Sequence, residues 1–138
     1  MLSTPKHGWV DLTIGSWSDR ASYLTEVPFE LLDALIRAFT TYSPTCAKFD
    51  AEGWEYIIVF DRYDTHVIEY KDDVEFYSVE IGLIEIAKEI HTDISNNLKE
   101  WSLWTYDTED EDARISREKK LSRLLSVLND LLPDNLKA

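Results

Sequence analysis

The strongest constraint on the fold is a change of hydrophobic period in the middle of the chain. From residue 45 to residue 79, apolar side chains tend to recur at every second position. This is the period of a half-buried β-strand, and short turns between such strands make neighbours antiparallel. Turn-forming clusters interrupt the pattern: DAEG at 50–53, DRYDT at 61–65 and KDD at 71–73. The segment therefore predicts a four-stranded antiparallel meander.

The second strand of this meander is the most apolar. WEYIIVF, residues 54–60, carries apolar side chains on both faces, which predicts a central strand covered on both sides. The third strand, 66–70, and the fourth, 74–79, are more polar on one face and should lie nearer an edge or water. The aromatic residues expected to point into the core are Trp54, Tyr56, Phe60 and Phe76.

The chain before the meander predicts one strand and one helix. Residues 10–14, VDLTI, alternate strictly between apolar and polar, as a strand does. Residues 15–27 have a loop composition, in which Trp17 would fasten the loop to the core. Pro28 suits the first turn of a helix, and apolar residues at helical spacing extend that helix over 28–41.

The chain after the meander predicts two helices. Apolar residues recur at helical spacing over 83–104, which indicates one long helix. A second leucine-rich stripe covers 116–132, with Ser116 as the N-cap and Pro133 near the end. The order β-α-β-β-β-β-α-α predicts one α+β domain over residues 1–138, a mainly antiparallel sheet of about five strands with helices packed on one face. The place of the first strand in the sheet is open.

The charge of the chain limits the partners it can have. Fourteen basic and 27 acidic residues give a formal net charge of −13. Such a charge repels phosphate backbones and anionic membranes, so we expect neither direct nucleic-acid binding nor membrane binding. It attracts a basic protein, and can raise the association rate roughly 10- to 1000-fold at low salt.

Cysteine content and the N-terminus predict a cytoplasmic protein. Cys46 is the only cysteine, which rules out an intramolecular disulfide and fits a reducing compartment, and we expect it to be a small packed residue. The N-terminal residues MLSTPKHGWVDLT lack the apolar region of a secretory signal. No apolar run approaches the length of a membrane span.

The sequence carries no motif for catalysis, metal binding or cofactor binding. Its histidines, His7, His66 and His91, have no cysteine or second histidine at ligand spacing. No serine lies in a GxSxG frame, and the four glycines never cluster into a phosphate-binding loop. We therefore expect no metal, no cofactor and no enzymatic activity.

Acidic residues concentrate in two segments, and aromatic residues that resemble interface anchors lie within the first and just before the second. Residues 50–80 have a local net charge of −8, and residues 107–112 hold five acids and no base. The helix dipole explains part of the second run, since acids stabilise the first turn of a helix. We assign to a partner-binding surface Asp61, Tyr63, Asp64, Asp72, Asp73, Trp104, Tyr106, Asp107, Glu109, Asp110, Glu111 and Asp112.

The stretches WTYDTEDED and FDRYDT, together with the size, charge and α+β pattern, give the chain a resemblance in overall character. It resembles the small acidic immunity proteins that bacteria encode beside polymorphic and contact-dependent toxins. The resemblance implies a stoichiometric inhibitor that neutralises a basic toxin, such as a nuclease. The alternative is a regulatory or adaptor domain, self-associating through a sheet edge or its last helices. An enzyme would need a pocket around His66, His91 or Cys46.

Overall fold

The computed structural model describes residues 1–104 and 110–134. It is an α+β fold, as the sequence predicts. In chain order the elements are β1 (Trp9–Ile14), β2 (Trp17–Ser22), α1 (Val27–Thr41), β3 (Thr45–Asp50), β4 (Glu55–Phe60), β5 (Thr65–Tyr70), β6 (Val74–Val79), α2 (Leu83–Asn96), α3 (Leu98–Ser102) and α4 (Glu111–Leu131).

The predicted meander is confirmed. Strands β3, β4, β5 and β6 are neighbours in that order, and every pair is antiparallel. One face of the sheet is buried, with Phe49, Tyr56, Ile58, Phe60 and Val67 in the core. The expectation that β4 is covered on both sides is wrong, because its alternate residues keep part of their surface exposed.

The N-terminal segment forms a β-hairpin rather than a strand followed by a loop. Strand β2 pairs antiparallel with β1, so the two strands make a sheet of their own. Gly15 permits the turn with a φ of 59°, a left-handed conformation that favours glycine. A Cβ at this position would lie 2.7 Å from Cγ1 of Val79, so glycine also permits close contact with β6. The ring of Trp17 packs edge-on against Tyr56 of β4.

The helices differ from the prediction in two respects. Helix α1 begins with Pro28 in its first turn, as expected. The long helix predicted over 83–104 is broken at Asn97 into α2 and α3. Helix α4 begins before Ser116, because the side chain of Asp110 accepts a hydrogen bond from the backbone N–H of Ala113 and is the N-cap.

The helices and the β1–β2 hairpin lie on one side of the four-stranded sheet. Helix α1 packs against β3 and β4, and α2 and α4 pack against α1. The hairpin contacts the same buried face through Trp17 and Gly15. The prediction that the helices share one face is therefore confirmed, and the helices of residues 1–104 and 110–134 leave the opposite face of the sheet uncovered. In the part of the chain described, no helix is long and apolar enough to cross a membrane.

Candidate partner-binding site

The acids predicted in the turns of the meander lie at opposite ends of the sheet. Asp61, Tyr63 and Asp64 belong to the β4–β5 turn, and Asp72 and Asp73 to the β5–β6 turn. Consecutive turns of a meander alternate between its ends, and a strand of six residues is about 20 Å long. A partner that contacts the acids of both turns must therefore extend along the full length of the strands.

The described acids of the 107–112 run have roles within the chain. Asp110 caps α4 at a distance of 2.7 Å from the N–H of Ala113. Glu111 forms an ion pair of 2.6 Å with Arg114, whose hydrogen bond and charge lower the pKa of Glu111. Asp112 is exposed in the first turn, where the helix dipole favours it. Tyr106, Asp107 and Glu109, assigned to the same surface, lie outside the described residues.

Trp104 is not a surface anchor, so the prediction of its exposure is wrong. Only 3% of the residue is exposed. Its indole N–H donates a hydrogen bond of 2.9 Å to the carbonyl oxygen of Thr25, just before α1. Its ring also packs against Trp101, with the ring centroids 5.1 Å apart. Trp104 therefore joins the end of α3 to the start of α1.

The open face of the four-stranded sheet, called here the outer face, is largely apolar. Phe76 is 65% exposed and Val74 67% exposed, which corrects the prediction that Phe76 belongs to the core. Cys46 is also exposed rather than packed. The register places on this face Cys46, Lys48 and Asp50 of β3, Glu55, Ile57 and Val59 of β4, His66, Ile68 and Tyr70 of β5, and Val74, Phe76 and Ser78 of β6.

Contacts between neighbouring strands order the centre of the outer face. Ile57, Ile68 and Phe76 stand side by side in one cross-strand row. The imidazole of His66 stacks on the Phe76 ring, with centroids 5.6 Å apart and planes at 21°. Nδ1 of the same imidazole lies 2.6 Å from Oγ of Ser78. The exposed aromatic ring is therefore supported by its neighbours and holds a defined position.

The outer face is large enough to serve as part of a protein interface. Four strands about 4.8 Å apart, with six residues each at about 3.4 Å, give an area of roughly 300 to 400 Å². Apolar side chains occupy part of this area, and the largest exposed apolar patch of a soluble protein is often functional. A standard interface buries about 800 Å² of each partner, so this face and its adjoining turns would provide much of one.

Acidic turns flank the outer face at both ends. Some of these acids have local roles: Oδ1 of Asp50 accepts from the N–H of Glu52, and Oδ1 of Asp61 accepts from the N–H of Arg62. Within residues 1–104 and 110–134, no hydrogen bond or ion pair involves the side chains of Asp64, Asp72 or Asp73. Their carboxylates are available to a positively charged partner.

Tyr63 stands between two hollows at the end of the sheet. The larger hollow, about 620 Å³, lies among the ends of α1 and α4, the β4–β5 turn and the start of α2. The second, about 560 Å³, has Glu85 and Glu89 of α2 in its wall. Tyr63 lines both and is 75% exposed. Neither hollow is lined by His66, His91 or Cys46, the residues around which an enzyme would need a pocket.

A buried pair of carboxyl groups, which the sequence analysis missed, joins the hairpin to the sheet. The side chains of Glu69 of β5 and Asp19 of β2 are both buried and share one cation: Nζ of Lys71 lies 3.6 Å from the first and 3.7 Å from the second. The indole N–H of Trp17 donates to Glu69 at 3.2 Å, and that of Trp54 to Asp19 at 2.9 Å. Burial and the neighbouring Asp19 raise the pKa of Glu69.

Compared with known proteins, this chain matches no protein-family model, no curated protein and no solved structure. The geometry and chemistry of its own residues therefore provide the basis for a functional proposal.

Proposed function

We propose that this protein is a non-enzymatic inhibitor that binds another protein, and that it acts as an immunity protein against a basic toxin. The observation that carries the proposal is the outer face of the four-stranded sheet. It presents an apolar centre to solvent and has unpaired carboxylates in the turns at its ends. Apolar centres with polar rims are characteristic of protein interfaces.

The apolar centre supplies the short-range part of binding. Phe76 is aromatic, exposed and fixed by its stacking with His66, which are the properties of a rigid interface anchor. Ile57 and Ile68 extend the apolar row beside it. Burying these side chains under a partner would contribute about 25 cal/mol for each Å² of apolar surface removed from water.

The charge distribution supports a basic partner. Residues 50–80, which have a net charge of −8, include β4, β5 and β6 and both turns between them. Their field steers a positive surface toward the outer face before any contact forms. In a toxin that acts on nucleic acid, the cleft that binds phosphate is basic, and acids such as Asp72 and Asp73 would take the place of phosphates.

Co-purification from the native host tests the proposal. Three proteins are used as bait in parallel: wild type, Phe76→Ser and the control Leu24→Ser. Leu24 is a suitable control because it is 56% exposed but lies outside the outer face. We expect one basic protein to copurify with wild type and the control but not with Phe76→Ser. The purified partner should lose its activity at one equivalent of wild-type protein. A partner that keeps its activity when saturated with wild-type protein would contradict the inhibitor function.

The alternative is an adaptor that associates with itself through the same apolar face. Sedimentation of wild type and Phe76→Ser over a concentration range separates the two proposals. Dimerisation that Phe76→Ser abolishes would favour the adaptor, whereas a wild type that stays monomeric leaves the outer face free for a different partner.

A further inference from the structure

We infer that the free edge of β6 binds an extended basic segment of the partner by strand addition. This inference rests on the proposed function, because it requires a protein partner of positive charge. It goes further by naming the mode of recognition: the partner contributes a fifth strand to the sheet, next to Val74–Val79. In strand addition the main chain supplies hydrogen bonds and alternate side chains supply specificity.

The register identifies the backbone groups at this edge. The N–H of Lys71 donates to the carbonyl of Asp73, which makes these two residues a hydrogen-bonded pair at the turn. Hydrogen-bonded and non-hydrogen-bonded pairs alternate along an antiparallel ladder. Glu75, Tyr77 and Val79 therefore direct their backbone groups toward β5. The backbone groups of Val74, Phe76 and Ser78 consequently face away from β5, along the free edge.

The two edges of the sheet differ in how they are protected. At the β3 edge, the N–H of Asp50 donates to Oγ1 of Thr25 at 2.8 Å, and β3 also contacts β2 and α1. At the β6 edge, the strand spans six residues and contains neither lysine nor proline. Natural proteins protect exposed edges with charged residues or proline. The one charged residue of β6 is the acid Glu75, which disfavours an acidic strand but would pair with a base in an added strand. The β6 edge has the chemistry of a strand-acceptor site.

The side chains around β6 select a basic segment. Residues 72–80 contain four acids and no base: Asp72, Asp73, Glu75 and Glu80. Along the edge, Val74 and Phe76 offer apolar contacts on the outer face, while Glu75 points to the other face. An added strand that alternates apolar and basic residues would match both faces. Like charges directly opposite each other destabilise a strand pair, so an acidic strand is disfavoured.

The same acids disfavour a second copy of this chain as the added strand. Antiparallel pairing of two β6 strands about Phe76 would bring the two phenyl rings together on the outer face. That register places Asp72 of one copy opposite Glu80 of the other, at both ends of the pair. Each copy also has a net charge of −13, which adds long-range repulsion.

A synthetic peptide tests the inference without the natural partner. The probe is a capped nine-residue peptide of alternating lysine and valine, and its control carries glutamate in place of lysine. We expect the lysine peptide to bind and to slow amide hydrogen exchange at Val74, Phe76 and Ser78, with no binding of the glutamate peptide. Binding that leaves all three amides unprotected would overturn the inference, as would failure of the lysine peptide to bind.

Two variants of one residue sharpen the test. Ser78→Pro removes an edge N–H that takes no part in the ladder with β5, so the sheet should keep its fold. Ser78→Ala keeps that N–H and serves as the control for the lost contact with His66. We expect Ser78→Pro to bind the lysine peptide roughly tenfold or more weakly than wild type does, and Ser78→Ala to bind it with wild-type affinity. Equal binding by a folded Ser78→Pro variant would overturn the inference.

Failure of this inference is distinguishable from failure of the proposed function. If the edge amides stay unprotected while a basic protein binds in a Phe76-dependent manner and is inhibited, strand addition is wrong and the inhibitor proposal stands. If the lysine peptide protects the edge but no partner is inhibited, the edge site stands and the inhibitor proposal is wrong. Dimerisation of wild type that protects the same amides would assign the edge to a second copy and overturn the inference.

Discussion

The phenyl ring of Phe76 stacks on the imidazole of His66, with centroids 5.6 Å apart, on the face of the sheet that no described helix covers. The two residues lie diagonally across β6 and β5, and Ser78 completes the contact by its hydrogen bond to the imidazole. An aromatic ring in this position contributes little to the core. It is exposed to solvent in a defined position, which is why we propose that it contacts a partner.

Substitution of Phe76 should therefore leave stability almost unchanged. We expect Phe76→Ser to alter the free energy of unfolding by no more than about 0.5 kcal/mol, the usual range for surface positions. Phe49→Ala, at a fully buried position of β3, should cost about 3 to 5 kcal/mol. Urea denaturation measures both. A loss of several kcal/mol in Phe76→Ser would show that the ring belongs to the core.

Substitution of buried Trp104 should reduce stability strongly, whereas substitution of exposed Tyr63 should not. Trp104→Ala is expected to destabilise the fold by about 3 to 5 kcal/mol, because a buried indole is removed. Trp104→Phe should cost about 1 to 3 kcal/mol, since the carbonyl of Thr25 loses its donor. Tyr63→Ala should be nearly neutral in thermal and urea unfolding. A neutral Trp104→Ala would contradict the role assigned to this contact.

Acids of the β5–β6 turn and exposed acids of the helices should differ in their effect on the rate of association with the partner. Reversal of Asp72 and Asp73 to lysine should slow association with the basic partner and flatten its salt dependence, because these carboxylates flank the outer face. The matched control reverses Glu30 of α1 and Asp130 of α4, which gives the same change in net charge on exposed residues outside the assigned surface. Stopped-flow association at several salt concentrations compares them. Equal slowing by both pairs would mean that only net charge matters.

The N-cap provides a separate test of the acidic run. Asp110→Ala should lower the free energy of unfolding by about 0.5 to 2 kcal/mol, because the N–H of Ala113 loses its acceptor. Association with the partner should change little, since the role of Asp110 is within the chain. Chemical denaturation gives the first quantity and the stopped-flow experiment the second. Weaker or slower binding by Asp110→Ala without loss of stability would show that Asp110 contacts the partner.

The buried carboxyl pair predicts how stability depends on pH. The pKa of Glu69 is raised in the folded state, so its charged form is disfavoured there. This penalty is complete above the folded-state pKa and disappears below the ordinary value of 4.5. Glu69→Gln cannot ionise and keeps the shape of the side chain. It should be more stable than wild type near neutral pH, by about 1 kcal/mol.

The advantage of Glu69→Gln should shrink as the pH falls toward 4.5, because wild-type Glu69 becomes protonated. Urea denaturation of both proteins across this range measures the difference, in which the titration of other groups largely cancels. A variant that is less stable than wild type at neutral pH, with a deficit that disappears in acid, would reverse the assigned sign. It would mean that the contact with Lys71 outweighs burial.

The meander could be predicted from the sequence because two local signals agree in it. Strand alternation and turn composition recur together from Thr45 to Val79, and neither depends on distant residues. The hairpin was missed because β2, WSDRAS, exposes polar residues and carries few apolar ones. Its position is determined by long-range contacts such as the packing of Trp17 on Tyr56, which no local pattern reveals.

The candidate site was harder to predict, because exposure depends on what packs against each face. Alternation shows that Phe76 and Tyr77 point to opposite faces of β6, but only the tertiary structure shows which face is covered. Trp104 has the sequence context of a surface aromatic, yet the carbonyl of Thr25 and the ring of Trp101 bury it. Glu69 was missed for the same reason: it shares a face of β5 with Val67, and only the structure shows that this face is buried.

The central claim is that the outer face binds a basic protein partner. Its most direct test is the dissociation constant of the purified partner for wild type, Phe76→Ser and the control Leu24→Ser, measured by titration calorimetry. We predict that Phe76→Ser weakens binding by about 2 kcal/mol or more, roughly 30-fold, while Leu24→Ser binds like wild type. A partner that binds folded Phe76→Ser as tightly as wild type would contradict the claim.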